Sequence, residues 1–165
     1  LRRIPVILMA RAAVVAAGAA AVVMWPHPAP GPAGSPEATG PQVGHLAPAF
    51  SVPGLAGGRL TLAQYDGHPR VVSFFAAWCV SCWNDMAVLN SGYQRYRSRG
   101  VVMIGIGVRD TVEDLRAMAG KLKISFPLGY DQGGDLAARP YRLYSVPTTV
   151  FIGTNGVIKA VVQGR

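Results

Sequence analysis

Three near-continuous apolar runs, Arg70–Phe75 (RVVSFF), Val101–Gly107 (VVMIGIG) and Thr148–Gly153 (TTVFIG), set the strongest limit on how this chain folds. A strand with one wet face alternates apolar and polar residues, so runs of this kind suit strands covered on both sides. Between the first two runs, Cys82, Met86, Leu89, Tyr93 and Tyr96 recur at helical spacing and share one face of a helix. After the second run, Asp110 and Glu113 read as a capping box, with Val112, Leu115, Ala119 and Leu122 as the buried stripe of a further helix. Val157–Val162 returns against the third run through Thr154-Asn155-Gly156, a turn of hairpin type. Strand, helix, strand, helix and hairpin predict an α/β domain whose central mixed sheet is flanked by helices. The 165 residues, half of them hydrophobic, suffice for one such domain and its core.

The first part of the chain is of another kind. Ile4–Trp25 is apolar except for Arg11, and Arg2, Arg3 and Arg11 precede an uninterrupted run, Ala12–Trp25. As a helix, Ile4–Trp25 is about 33 Å long against a hydrocarbon core of about 30 Å, with Arg11 snorkelling to the cytoplasmic face. Residues 1–25 are therefore expected to form a signal-anchor, with the bulk of the protein on the extracytoplasmic side. Cleavage and secretion is the competing expectation. The run leads into Pro26-His27-Pro28 rather than an A-x-A step, and no lipidatable cysteine lies nearby. Residues 26–43 are rich in proline and glycine and read as a tether, leaving 44–165 for the folded domain. The formal charge of +8 loses much of its meaning once the three leading arginines are taken as topology signals. Tyr93–Arg99 is the basic stretch that would suggest nucleic acid, but basic residues at a helix C-terminus complement the dipole and face water, so no nucleic-acid partner is expected.

Only two cysteines occur, Cys79 and Cys82. A pair so close in sequence closes almost no loop, which excludes a disulfide-stapled scaffold. His27, His45 and His68 all precede the pair without metal-type spacing, and Trp83 stands where a haem-attachment histidine would be, so neither a zinc site nor a haem site is expected. The pair falls where the strand Arg70–Phe75 passes into its helix. Cys79 then meets the free N–H groups and positive end of the helix, which favour a thiolate, and reads as the attacking sulfur. The helical phase turns Cys82 inward, within disulfide reach of Cys79, and it reads as the resolving thiol.

Phe74-Phe75-Ala76-Ala77-Trp78-Cys79-Val80-Ser81-Cys82 resembles the thioredoxin active-site segment, and the chain around it is similar to membrane-anchored thiol–disulfide oxidoreductases of the TlpA/ResA type. Ala47-Pro48-Ala49-Phe50, Gly67, Phe126-Pro127-Leu128 with Asp131, and Tyr144–Ile152 followed by Gly156 fall in family order, so the resemblance runs from about Gly44 onward. It implies a thioredoxin-like fold and a dithiol that reduces protein disulfides, with the cysteine pair in place of any cofactor or metal. It also implies a cis bond at Val146-Pro147 presenting the Val146 backbone to substrate, Trp78 on the substrate surface, and Asp85, where the family usually has Glu, assisting proton movement. For Trp78 a core aromatic is the plainer reading. For Asp85 it is a first-turn acid complementing the helix dipole. The partners implied are protein thiols and disulfides, among them apocytochrome c, and a membrane electron donor, which would place the protein in cytochrome c maturation.

The sequence also departs from the family. Val80-Ser81 replaces the usual middle residues, Ser73 replaces a buried Asp, and Ala87 replaces a proline. The family continues into a last helix where this sequence reaches Gln163-Gly164-Arg165, so the domain is expected without that helix. A peroxiredoxin motif would need proline at Val72 and threonine at Ala76, and a copper chaperone a late histidine, which is absent after His68. Two alternatives stay open: an oxidant that introduces disulfides, and a non-catalytic module that binds partners.

Overall fold

The computed structural model describes residues 40–164. The expected signal-anchor over 1–25 and most of the expected tether lie outside the described residues. Among the described residues no helix is long and apolar enough to cross a membrane.

A short antiparallel hairpin of β1 (Ser51–Pro53) and β2 (Arg59–Thr61) precedes the main sheet. That sheet contains β3 (Arg70–Phe75), β4 (Val102–Val108), β5 (Leu128–Asp131), β6 (Thr148–Ile152) and β7 (Ile158–Gln163). Its spatial order is β5-β4-β3-β6-β7, parallel from β5 to β3 and antiparallel from β3 to β7. The connecting helices are α1 (Val80–Tyr96), α2 (Val112–Lys121) and the short α3 (Asp135–Ala138). Every residue of the central strand β3 is buried, which is why its sequence lacks a polar face.

The period of two along β3 sorts the core into two layers. Val72 and Phe74 pack with Leu60, Ile106, Ala137 and Tyr141, under the hairpin and α3. Val71 and Phe75 pack on the opposite face with Cys82, Met86, Leu115 and Met118, under α1 and α2. α2 lies so close to the sheet that a side chain at Gly107 would collide with Leu115.

Two expectations are corrected here. The N-cap of α2 is Thr111, whose hydroxyl accepts from the Asp114 N–H at 3.1 Å and donates to the Asp114 carboxylate at 2.7 Å; Asp110 accepts from the N–H groups of Ala77 and Thr111, so the expected box at Asp110–Glu113 does not form. The helix face Cys82–Tyr96 is not buried throughout, because Tyr96 is exposed and a groove of about 490 Å³ opens between the far half of α1 and β6. Among the described residues no helix follows β7.

Tyr141 binds the sheet to the segment that precedes it. Its side chain is fully buried, its ring lies 4.8 Å from that of Phe74, and its hydroxyl donates to the Pro48 carbonyl at 2.8 Å. Burial pushes the hydroxyl's pKa far above its ordinary 10.0, with Arg70 opposing weakly. A group whose folded-state pKa is raised contributes fully below the unfolded value and loses that contribution as pH rises above it. Tyr141→Phe is therefore expected to cost about 1–3 kcal/mol at pH 7, because the Pro48 carbonyl loses its donor, and to flatten the decline of stability above about pH 10. Urea unfolding of both proteins at pH 7 and pH 11 measures both effects. An equal alkaline decline in the two proteins would assign it to another group.

Candidate active site

β3 ends at Phe75, and Ala76-Ala77-Trp78 turns the chain so that Cys79 becomes the N-cap of α1. The Cys79 sulfur accepts from the Cys82 N–H at 3.3 Å and lies 3.4 Å from the Ser81 hydroxyl. Cys79 and Cys82 are joined as a disulfide with a Cα–Cα distance of 5.3 Å. When that bond is reduced, the N–H, the hydroxyl and the positive end of α1 all face Cys79 Sγ and favour its thiolate. The two cysteines are unequal in access: Cys79 is 8% exposed and Cys82 is 0% exposed.

The Val146-Pro147 bond is cis and lies against the pair, with the Val146 carbonyl oxygen 3.7 Å from Cys79 Sγ. Pro147 in turn accepts from the Gly164 N–H at 2.6 Å. Trp78 and Val80, which flank Cys79, are exposed at 62% and 85%, and Tyr144, which shares a cavity wall with Trp78 and Val146, at 92%. Trp78 is thus on the surface and not in the core.

The turn before Cys79 is held by groups distant in sequence. Asp110 Oδ2 accepts from the Ala77 N–H at 2.5 Å, while its Oδ1 accepts from the Thr111 N–H at 2.9 Å. The Trp83 indole donates to the Ala77 carbonyl at 2.9 Å, and the Trp78 indole to the Arg109 carbonyl at 3.2 Å. A buried carboxylate with two backbone donors is a strong clamp, since charged hydrogen bonds contribute about 1.5–3 kcal/mol each.

Asp85 lies in the second turn of α1, not the first, so it does not act as a dipole-complementing first-turn acid. It is half-buried and lines a cavity of about 210 Å³ together with Thr149 and Val162. The Thr149 hydroxyl donates to that of the fully buried Ser73 at 3.2 Å. Asp110 was read from the sequence only as a helix cap, and Thr149 was given no role of its own. The only sequence signal for Asp110 was its place at the start of a helix, and for Thr149 its place beside Pro147.

The AhpC/TSA family pattern matches residues 43–161. The thiol–disulfide oxidoreductase ResA of Geobacillus kaustophilus is 29% identical over 128 residues, covering 78% of this chain and 73% of the relative. ResA of Bacillus thuringiensis is 26% identical over 124 residues, covering 75% and 71%. Among solved structures, the thioredoxin domain of a thiol–disulfide oxidoreductase from Bacteroides vulgatus superposes with a TM-score of 0.69 at 21% identity, covering 75% of this chain and 90% of that one. A secreted Mycobacterium tuberculosis disulfide oxidoreductase homologous to E. coli DsbE gives 0.64 at 23% identity, covering 70% and 84%. These two share the fold, and the ResA proteins share the sequence across three quarters of this chain. With a dithiol at a strand-to-helix junction and the family pattern spanning nearly all of the described domain, the chain belongs to the AhpC/TSA family of thioredoxin-fold proteins, as a thiol–disulfide oxidoreductase similar to ResA.

Proposed function

We propose that this protein is tethered to a membrane by residues 1–25, faces the extracytoplasmic side, and reduces protein disulfides there. The observation that carries the chemistry is the inequality of the two cysteines: Cys79 keeps a small exposure beside Val146, and Cys82 has none. The Cys79 thiolate attacks one sulfur of a substrate disulfide, forming a mixed disulfide and releasing the other substrate sulfur as a thiolate, which takes up a proton. Cys82 then loses its proton and attacks Cys79 Sγ. The second substrate thiol leaves, and the enzyme ends as the Cys79–Cys82 disulfide, having given up two electrons. The Val146 backbone pairs with the substrate chain in strand fashion, and Trp78 adds contact area.

Among the described residues Ser73, fully buried in β3, stands where a buried carboxylate would serve Cys82. Asp85, which follows Cys82 by three residues on α1 and is half-buried, takes up the thiol proton. A membrane electron donor recharges the pair, and apocytochrome c is the substrate that the resemblance favours. Anchoring is supported by the arginine-flanked apolar run of residues 1–25 and the tether that follows it.

Equilibration of the purified domain with glutathione tests the direction of electron flow. A potential near that of thioredoxin, about −270 mV, supports the reductant; one near that of DsbA, about −120 mV, replaces it with the disulfide-introducing oxidant. If the oxidised and reduced proteins bind a partner equally and exchange no disulfides, a binding module replaces both.

A further inference from the structure

Arg109, just past the end of β4, adopts a φ of 51°, a left-handed conformation that is uncommon for a residue with a long side chain. Its backbone is held on both sides: its N–H donates to the Asp131 carbonyl at 3.0 Å, and its own carbonyl accepts from the Trp78 indole at 3.2 Å. Its side chain runs along Gly134, itself at a φ of 76°, where a Cβ would stand only 2.5 Å from Arg109 Nε. Two left-handed positions, one of them without a side chain, thus set the path of a single guanidinium.

The guanidinium path borders a cavity of about 130 Å³ whose walls include Trp78, Leu143, Tyr144 and Val146. Among the described residues lining that cavity, Arg109 is the one that carries a charge. The acids around it are engaged elsewhere. Asp110 accepts from two backbone N–H groups, Asp131 accepts from the Ala137 N–H at 2.9 Å, and Asp135 pairs with Arg139 at 3.6 Å. Asp114, which lines a second cavity together with Arg109 and Trp78, accepts from the Thr111 hydroxyl at 2.7 Å. Val146 joins this cavity to the reacting sulfur, because its carbonyl oxygen lies 3.7 Å from Cys79 Sγ. A polypeptide paired along Val146 with its cysteine at Cys79 therefore lays a neighbouring side chain at the cavity.

We propose that Arg109 makes this cavity a specificity subsite for polypeptide disulfides that carry a carboxylate side chain within two residues of the reacting cysteine. The proposal rests on the exchange function above and names the class of substrate that function prefers. Charge complementarity of this kind acts chiefly on encounter, so it appears in the second-order rate and weakens with salt.

The test uses the reduced full chain and two cystine peptides, identical except that the residues flanking the cysteines are Glu in one and Lys in the other. The Glu peptide is expected to react about two- to fivefold faster at low ionic strength, the range of a single exposed ion pair, and the advantage is expected to shrink in high salt. Arg109→Gly removes the charge and suits the left-handed backbone, so the two rates should converge. Arg109→Lys should retain part of the preference, and Arg109→Glu should reverse it. Equal rates for the two peptides in the parent protein, or an undiminished preference in Arg109→Gly, overturn the subsite while leaving the exchange function standing. Failure of the parent protein to react with either peptide overturns both.

Discussion

Cys79→Ser is expected to lose disulfide exchange by a factor on the order of 10⁴ or more, because a serine hydroxyl at neutral pH is neither ionised nor nucleophilic toward a disulfide. The fold should tolerate the change. A serine is a favourable N-cap, and its oxygen can accept from the same Cys82 N–H that now meets the sulfur. Loss of activity in a variant of near-parental stability would therefore report chemistry and not unfolding. Insulin reduction followed by turbidity, together with urea unfolding, separates the two. Retention of more than a small fraction of the activity would mean that the other sulfur opens the reaction.

Cys82→Ser should behave in the opposite way. The first attack proceeds, but no internal thiol follows, and the variant accumulates as a mixed disulfide with its substrate. Turnover then waits for an external thiol, and the loss of a neighbouring group held one helical turn away is expected to slow it by at least on the order of 10²-fold at millimolar thiol. Mass spectrometry of the variant incubated with a cystine peptide should find one peptide attached to Cys79 and released by a reductant. Accumulation of the adduct on the Cys79→Ser variant instead would exchange the two roles. Serine at position 82 also buries a hydroxyl in an apolar layer with Met86 and Phe75, so some stability is lost as well.

The parts of the fold legible in the sequence are the buried strands and the hairpin turn that leads into β7. β3, β4 and β6 came through as apolar runs and β7 through its hairpin turn, with β4 and β7 displaced by one residue because strand ends are set by pairing, as Val102 faces Arg70 and Gln163 faces Thr148. The hairpin β1–β2, the strand β5 and the four-residue α3 were not legible. Each is too short to show a period, and each is fixed by distant contacts, such as the bridge between Gly54 and Gly129. The capping of α2 was misplaced because one oxygen of Asp110 is taken by the Ala77 N–H, 33 residues away. At the site, Cys79 and Cys82 were evident because their chemistry depends on a local junction. Thr149 meets Ser73 across 76 positions, and the route of the Arg109 side chain depends on a glycine in another loop, so neither leaves a local signature.

The apolar collar of Trp78, Val80 and Tyr144 near the almost buried Cys79 has a consequence for the company its sulfur keeps. A polypeptide docking on the collar displaces water from three large side chains at once, and the thiolate then reacts in a drier setting where its helix-end partners act more strongly. A small thiol or peroxide arrives without a surface of its own and leaves the collar wet. On the exchange function proposed above, the collar thereby adds a filter by molecular size to the preference set at Arg109, favouring proteins over small soluble oxidants.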